Sequence, residues 1–491
     1  MRKNICTIFV FLLTISLSAC QISPDKEVVS NRNDGSFDTN VVQSAQDNHA
    51  PDETRTLVYW DTFQSTDGSV TFKIDVQNSI RTPNMPVVEV VPHAITEEEA
   101  HNAAVALCGA FAVFYEAEPA LNEKYSRSDI ISQIERWLPF ASTMGMKQLF
   151  PNGNKSNWES DAQTLRETIT YLSDRYLDNN APDYEHTPCQ WTFHKSSHYV
   201  YGAEEATKHD TSRDNDEISA WVSNGAGRYG TFTVSCRDNK DFKLNNIFYS
   251  ATINGPLLVD YALYRAEKLR TEKPTDAQIE AAIDKAQAIM DQMGLGTWKV
   301  DFSDLGEYKS GDITEYTINL SAVPIFQGVP AIHRPQLSNL KSEAAYASNY
   351  YLSEATFEYS ADGTLMDFIL YSPVDTTQVV NENTKTMSMD EIINRAKEHL
   401  SLSDAYEYGA SLEYMDDEYS CTVTITHVEY GLTRTKVPNT DESYYYVPVA
   451  MLSGNVEYKI LDTEEVFFYR DNVQLLMVNA VDGSIIPLDN E

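Results

Sequence analysis

The chain is poor in positive charge. Its 491 residues hold 37 Lys and Arg against 73 Asp and Glu, a formal net charge of −36. A surface that acidic repels phosphate backbones and anionic headgroups, which argues against nucleic acid as a partner. Apolar stretches of about 20 residues, the length needed to cross a bilayer as a helix, are missing. The longest candidates, Ile5–Leu17 and Ala103–Tyr115, have thirteen residues each. Cysteine is sparse at six residues, with no spacing of a disulfide scaffold. No Gly-x-Ser-x-Gly elbow, phosphate-binding Gly-rich loop or dinucleotide fingerprint occurs, so neither an enzyme class nor a cofactor has a motif to rest on. What is present is a folded body: 42% apolar and 22% charged residues, over a length that suits roughly two to four domains.

The start of the chain reads as an export signal. Arg2 and Lys3 precede the apolar stretch Ile5–Leu17, which as a helix rises only about 20 Å and does not span a bilayer. Its end, Leu17-Ser18-Ala19-Cys20, resembles the lipobox of bacterial lipoproteins. That resemblance implies a signal peptide over residues 1–19 and a thioether-linked diacylglycerol on Cys20. The implied location is the cell membrane, lipid-anchored on its extracytoplasmic face. Two acyl chains at about 0.8 kcal/mol per buried methylene make a firm anchor. The mature chain would then carry 35 positive against 73 negative groups. Residues 20–55 are rich in Ser, Asn, Asp and Gln, with Phe37 as their one aromatic, and read as a flexible tether of about 30 Å root-mean-square span. Cys108, Cys189, Cys236 and Cys421 remain after Cys6 and Cys20 are set aside; Cys108 reads as a packed thiol, and Cys189 with Cys236 is the pair worth testing for a disulfide.

The body reads as α+β, built of several helix-on-antiparallel-sheet units. Residues 56–270 are expected to form one domain. In it, Asp67-Gly68 turns a hairpin and Thr96-Glu97-Glu98-Glu99 caps a buried helix running to about Tyr115. Further helices are expected over Ser128–Leu138 and Ser156–Leu177, the latter capped by Ser156 and Glu159, before strands between Gln190 and Asn254. Residues 271–385 and 386–491 read as a degenerate tandem duplication. Each opens with a capping box, Thr275–Gln278 or Ser388–Glu391, and carries one apolar helix face, Ile279, Ala282, Ile283, Ala286, Met290 and Met293 or Ile392, Ile393, Ala396 and Leu400. Each closes on a hairpin at Asp362-Gly363 or Asp482-Gly483, and Glu391 precedes Arg395 by the four residues of a helical ion pair.

The segment Tyr446-Val447-Pro448-Val449, followed by Val478-Asn479-Ala480-Val481-Asp482-Gly483-Ser484-Ile485-Ile486, resembles the closing phrase of exported Gram-positive proteins. These include PepSY-like domains and the regulatory ectodomains of the YycH/YycI type that act on membrane sensor kinases. The whole chain is similar to uncharacterised lipoproteins of gut Clostridia-type bacteria. The resemblance implies localisation and approximate fold, and brings no catalytic residue.

Candidates for chemistry are few. His186, Cys189, His194 and His198 are zinc-ligand types within thirteen residues, but Trp191-Thr192-Phe193 and Tyr199-Val200-Tyr201 favour a strand, which holds His194 and His198 about 13 Å apart. Asp210, Asp214, Asp216 and Glu217 place oxygen ligands together, yet Asn215 and Trp221 stand where a calcium loop needs Gly and Glu; a solvated acidic loop is expected. No metal site is therefore assigned. Tyrosines, 29 in all with Tyr350-Tyr351 and Tyr444-Tyr445-Tyr446 adjacent, suit strands with one wet face, or glycan stacking or a protein interface. The expected function is a non-enzymatic binding or regulatory module with an envelope or membrane protein as partner. The alternatives are a lipoprotein capturing a glycan, peptide or cation, and an envelope hydrolase of unrecognised type.

Overall fold

A computed structural model describes residues 53–82, 85–116, 127–150, 154–176, 187–197, 214–223, 229–238, 243–251, 272–310, 313–332, 352–403, 405–408, 419–436, 443–463, 465–486 and 488. The signal peptide, Cys20, and the tether up to residue 52 lie outside them, as do His186, His198 and Asp210. Glu53, Thr54 and Arg55, read as tether, already pair in a strand.

In chain order the strands are β1 (Glu53–Gln64), β2 (Val70–Thr82), β3 (Val87–Pro92), β4 (Val113–Glu116), β5 (His194–Ser197), β6 (Asp214–Ser223), β7 (Tyr229–Asp238), β8 (Lys243–Ser250), β9 (Trp298–Ser310), β10 (Ile313–Phe326), β11 (Val329–Pro330), β12 (Glu354–Ser360), β13 (Leu365–Tyr371), β14 (Val374–Asn381), β15 (Tyr419–Lys436), β16 (Tyr444–Ile460), β17 (Val466–Asn479) and β18 (Ile485–Ile486). The helices among the described residues are α1 (Glu97–Cys108), α2 (Arg127–Trp137), α3 (Thr143–Leu149), α4 (Lys155–Tyr176), α5 (Asp276–Met293) and α6 (Met389–Leu400). They make an α+β fold with two large, mostly antiparallel sheets.

The first sheet runs β1-β2-β15-β16-β17-β18, with β3 beside the start of β16 and β14 outside β3. The second runs β11-β10-β12-β13-β8-β7-β6-β4, with β9 on β10 and β5 on β6. Residues 56–270, read as one domain, are thus divided: β1–β3 belong to the first sheet and β4–β8 to the second. The ladder of β8 on β13, from Ser250↔Asp367 to Asn246↔Tyr371, crosses the boundary expected at residue 270. The two C-terminal units share their order of elements, a helix and then antiparallel strands closing on an Asp-Gly turn. Both turn glycines sit at φ 76°, where only glycine is unstrained.

Three helices, α1, α5 and α6, start where their capping boxes put them. Thr96, Thr275 and Ser388 accept from the third helical N–H, and Glu99, Gln278 and Glu391 return the bond. Glu391 is thereby occupied, and Arg395 pairs instead with Glu398 at 2.8 Å. The α1 helix stops earlier than its apolar run suggests. Gly109 at φ 93° ends it, Phe111 is 99% exposed, and Val113 starts β4. Nor does Ser156 cap α4: the Asn154 side chain accepts from the Asn157 N–H, one turn before. α3, formed around the close approach of Gly145 to Pro139, has no apolar period long enough to announce it.

Three cores follow. Ala100, Ala103 and Ala104 of α1 and Ala282, Ala286 and Met290 of α5 cover the second sheet, where small side chains let both helices come close. Ile392, Ile393, Ala396 and Leu400 of α6 cover the first sheet. Trp137, Met146, Ala162 and Leu165 hold α2–α4 together. A fourth cluster joins the sheets: Val323, Phe326 and Val329 of β10–β11 pack on Val88, Leu432, Tyr444 and Tyr446, with the Phe326 and Tyr446 rings 4.4 Å apart. Tyr444 and Tyr446 are buried on one face of the strand, and Tyr445 between them is half-buried on the other. Tyr350 and Tyr351 lie outside the described residues.

Pro448 sits inside a central strand yet costs no ladder bond. Its carbonyl accepts from Ala480 N–H, and in a strand the N and O of one residue point to the same side. Its missing N–H therefore faces the gap between the partners β3, whose pairing with β16 reaches Tyr446, and β17, whose pairing with β16 starts at Val449.

A Cβ at Gly454, beside the register shift of β15 on β16, would lie 1.8 Å from the Thr424 carbonyl oxygen. Gly454→Ala must push two strands apart, and we expect a loss of about 3 kcal/mol in chemical denaturation. Gly68→Ala, at φ 78° with open space around it, should cost only about 1 kcal/mol in the same measurement.

Candidate functional site

The residues singled out for metal or thiol chemistry do not converge. His194 lies in β5 opposite Glu217, and Asp214–Glu217 start β6 rather than a solvated loop. Glu217 is buried and accepts from the Ser219 hydroxyl. Among the described residues no group of three or more His, Cys, Asp or Glu side chains is placed to hold a metal ion. Cys108, Cys189, Cys236 and Cys421 are all free thiols, so the pair Cys189–Cys236 is not a disulfide here. Burial pushes Cys108 and Cys236 up to about 12 and Cys189 and Cys421 up to about 11. Protonated thiols of this kind are packing groups, not nucleophiles.

Polar chemistry collects elsewhere, at the seam between the sheets. There a cavity of about 290 Å³ opens between the ends of β3, β9 and β10, the loop after α5, and the start of β14. His93, Trp298, Phe326, Ser353 and Asp375 line it, together with the backbone of Gly294 and Gly296. The volume is near the lower end of small-molecule sites, about 300–1,000 Å³.

His93 follows the last residue of β3 and is held from both ends. Its backbone N–H donates to Pro373 O at 2.8 Å, which seats it against the strand that starts at Val374. Nδ1 lies 3.0 Å from both carboxylate oxygens of Asp375, and Nε2 lies 3.0 Å from Glu99 Oε2. Carboxylates on both nitrogens call for a doubly protonated ring. Burial alone would lower the His93 value; hydrogen bonds and charge from Asp375 and Glu99 outweigh it and raise it above the ordinary 6.5. Glu99 also accepts from the Thr96 N–H at 2.8 Å and hydroxyl at 2.9 Å. Its own burial would raise it, but these bonds and the His93 ring hold it below the ordinary carboxylate range.

The result is a carboxylate–imidazolium–carboxylate clamp that ties β3, the N-terminus of α1 and β14 together. Two carboxylates around one cation leave an excess negative charge, and the exposed Asp375 carboxylate turns it toward the cavity. A histidine engaged in this way has no free lone pair with which to act as a general base.

Two further features shape the space. The Ser353 hydroxyl is buried with no hydrogen-bond partner among the described residues. Trp298 donates its Nε1–H to Leu295 O at 2.9 Å, which fixes the indole in the wall. None of His93, Ser353, Trp298 or Asp375 carries a local signature. His93 and Asp375 are 282 positions apart and meet only through the β3–β14 ladder. The nearest sequence cue is the spacing of His93 ahead of the Thr96–Glu99 capping box.

The sign of the pH dependence follows from the shifts. The raised His93 value gives stability that is complete below the ordinary 6.5 and is lost as pH rises through the folded value; the lowered Glu99 value gives stability that is complete above the ordinary 4.5 and is lost as pH falls. The clamp is therefore strongest between these two values. His93→Gln should cost about 1–2 kcal/mol near pH 6 and less as the medium becomes alkaline, read from denaturation midpoints across the range. A cost independent of pH would show that the ring acts through shape alone.

Compared with known proteins, the chain matches no protein-family model and no curated protein. Among solved structures it is similar to the crystal structure of an uncharacterized protein from Eubacterium rectale ATCC 33656, at 10% sequence identity and a TM-score of 0.36, over 92% of this chain and 99% of the other.

Proposed function

We propose that the protein is an extracytoplasmic lipoprotein, anchored through Cys20, that works as a non-enzymatic binding module. The observation that carries this reading is the seam cavity. Its one histidine is locked between two carboxylates, and the exposed carboxylate of Asp375 borders the same space. Groups held this way bind and orient; they do not relay protons. The lipobox-like Leu17-Ser18-Ala19-Cys20 and the polar stretch after it support anchorage with a reach of about 30 Å. No helix among the described residues is long and apolar enough to cross a membrane.

Capture of a ligand in the cavity is favoured over docking of an envelope protein on a surface, because the cavity is bordered by the exposed carboxylate of Asp375. Two measurements test the proposal on the full chain in detergent. Mass spectrometry of the mature protein should show diacylglycerol on Cys20, absent in Cys20→Ser; a free thiol in the native protein overturns the anchorage. A thermal-shift screen with sugars, short peptides, amines and divalent ions should return at least one class that raises Tm, with a rise of a few degrees corresponding to about 1 kcal/mol. Turnover of cell-wall fragments by the purified protein, abolished by a single acidic substitution, would overturn the non-enzymatic reading.

A further inference from the structure

A strand at the border of a sheet carries backbone groups with nothing to bond on one side, and folded chains blunt such borders in a few ways. Most borders among the described residues are blunted here. β4 and β5 have four residues each, and β11 and β18 have two. β14 shifts register twice against β3. β9 is interrupted by a register shift opposite Asn319 and carries Lys299, Asp301, Asp304, Glu307 and Lys309 along its length. β1 is the exception. It runs for twelve residues in unbroken register with β2 and contains no Pro, Gly or Lys. Among the described residues no strand pairs with its other side.

The hairpin end fixes which way the β1 backbone points. Ser65 N–H donates to Val70 O at 2.9 Å, and this pair continues the β1–β2 register, so the odd-numbered residues of β1 bond to β2. Thr54, Thr56, Val58, Trp60 and Thr62 therefore turn their N–H and C=O groups to the open side. Thr62 bears this out, since its N–H donates to the Asp61 side chain at 2.8 Å and not to the ladder. Side chains alternate in the same way. Tyr59 and Phe63 pack on the core beneath α6, whereas Val58 and Trp60 lie on the opposite face, 68% and 77% exposed. Open amides beside an exposed valine and indole make a surface that a further strand would cover.

Around Val58 the strand is complementary to its own reverse. Antiparallel pairing of two copies with Val58 against Val58 sets Leu57 against Tyr59, Thr56 against Trp60, Arg55 against Asp61 and Thr54 against Thr62. Apolar, aromatic with β-branched, opposite-charge and Thr–Thr pairs are the combinations that stabilise neighbouring strands, and symmetry supplies each of them twice. Moving the axis to Tyr59 or Trp60 puts Asp61 against Leu57 or Tyr59 and loses the charge pair. Val58 is also one of the residues whose backbone faces outward, so this register forms about ten backbone hydrogen bonds. Asp61 is held by Lys397 and the Thr62 N–H in the single chain; transfer of that N–H to the partner's Thr54 frees the carboxylate for Arg55. We propose that two copies of this chain associate through β1, antiparallel about a two-fold axis at Val58, joining their first sheets into one. β1 lines no part of the seam cavity, so this association goes beyond the binding-module reading and does not depend on it.

Sedimentation and crosslinking of the full chain in density-matched detergent test this. At about 0.15 M salt the charge of −36 on each copy is screened beyond about 8 Å, and the chain should sediment as a dimer at about 50 µM. Val58→Cys should give a disulfide-linked dimer under mild oxidation, because opposed residues of a bonded pair have Cα atoms about 5.5 Å apart. Gln77→Cys is the control. It lies beside Val58 on the same exposed face but one strand further in, and should stay unlinked. The native chain supplies the background from its own free thiols. Val58→Lys sets two ammonium groups against each other and should weaken association at least about tenfold, with the melting temperature of the dilute single chain unchanged.

A monomer at that concentration overturns the proposal. Equal linkage of the two cysteine variants, or a dimer that Val58→Lys leaves as tight as before, also overturns it, because either result places the contact elsewhere. Hydrogen exchange then identifies what takes the border of a monomer. Slow amides at Val58 and Trp60 mark residues preceding β1 as its cover, and fast ones leave it to a strand of another protein.

Discussion

The seventeen residues of β16 have to satisfy their backbone on both sides while their side chains are buried on both faces for half of the strand. Everything else in the fold is arranged around that requirement. β15 pairs with β16 along its whole length, and β17 and β3 share the opposite edge. An unpaired N–H or C=O at that depth would cost about as much as a lost hydrogen bond, so the neighbours are obligatory. The side chains then serve separate cores. Tyr444 and Tyr446 face the seam cluster, Val447, Val449 and Met451 face the other side, and Leu452, Val456 and Tyr458 pack under α6. A strand used by three cores leaves little freedom to move one without the others. The seam cavity inherits that rigidity through Phe326, whose ring lies against Tyr446.

Local rules accounted for much of this. Three of the four expected capping boxes, the Asp67-Gly68, Asp362-Gly363 and Asp482-Gly483 turns, and the buried face of α6 were legible in the residues, because each depends on partners a few positions away. Errors arose where local signals competed. The apolar run past Gly109 reads as more helix, but a residue in the positive-φ region ends it, and hydrophobicity carries no record of that backbone choice. Asn154 and Ser156 are both competent caps, and only the packing of Trp158, whose indole donates to Phe150 O, selects the earlier one. Glu391 and Arg395 had ideal spacing for an ion pair, and the capping bond to Ser388 took the carboxylate first.

What the sequence hid was long-range. The spread of residues 56–270 over both sheets was not legible, because strand pairing is set by which edges meet, and β2 and β8 find partners in the C-terminal half. The site was invisible for the same reason. The histidines that attracted notice were clustered in sequence, whereas His93, Glu99 and Asp375 are ordinary residues until β3 and β14 pair and α1 caps beside them. Spacing reveals chemistry built on one element; a clamp assembled from three elements leaves no period to read.

One pairing sets the schedule on which this molecule can be completed. β2 lies parallel to β15, joining Val70 to Cys421 and Ile74 to Ile425, across some 350 residues of chain. Closing so large a loop is entropically late, and no nearer segment takes that place in the ladder. The β1–β2 hairpin therefore waits with one side open while the intervening chain is threaded and folded. β15 follows the hairpin by more than 300 residues, so a nascent chain interrupted before residue 419 presents an unfilled template for β-strand addition.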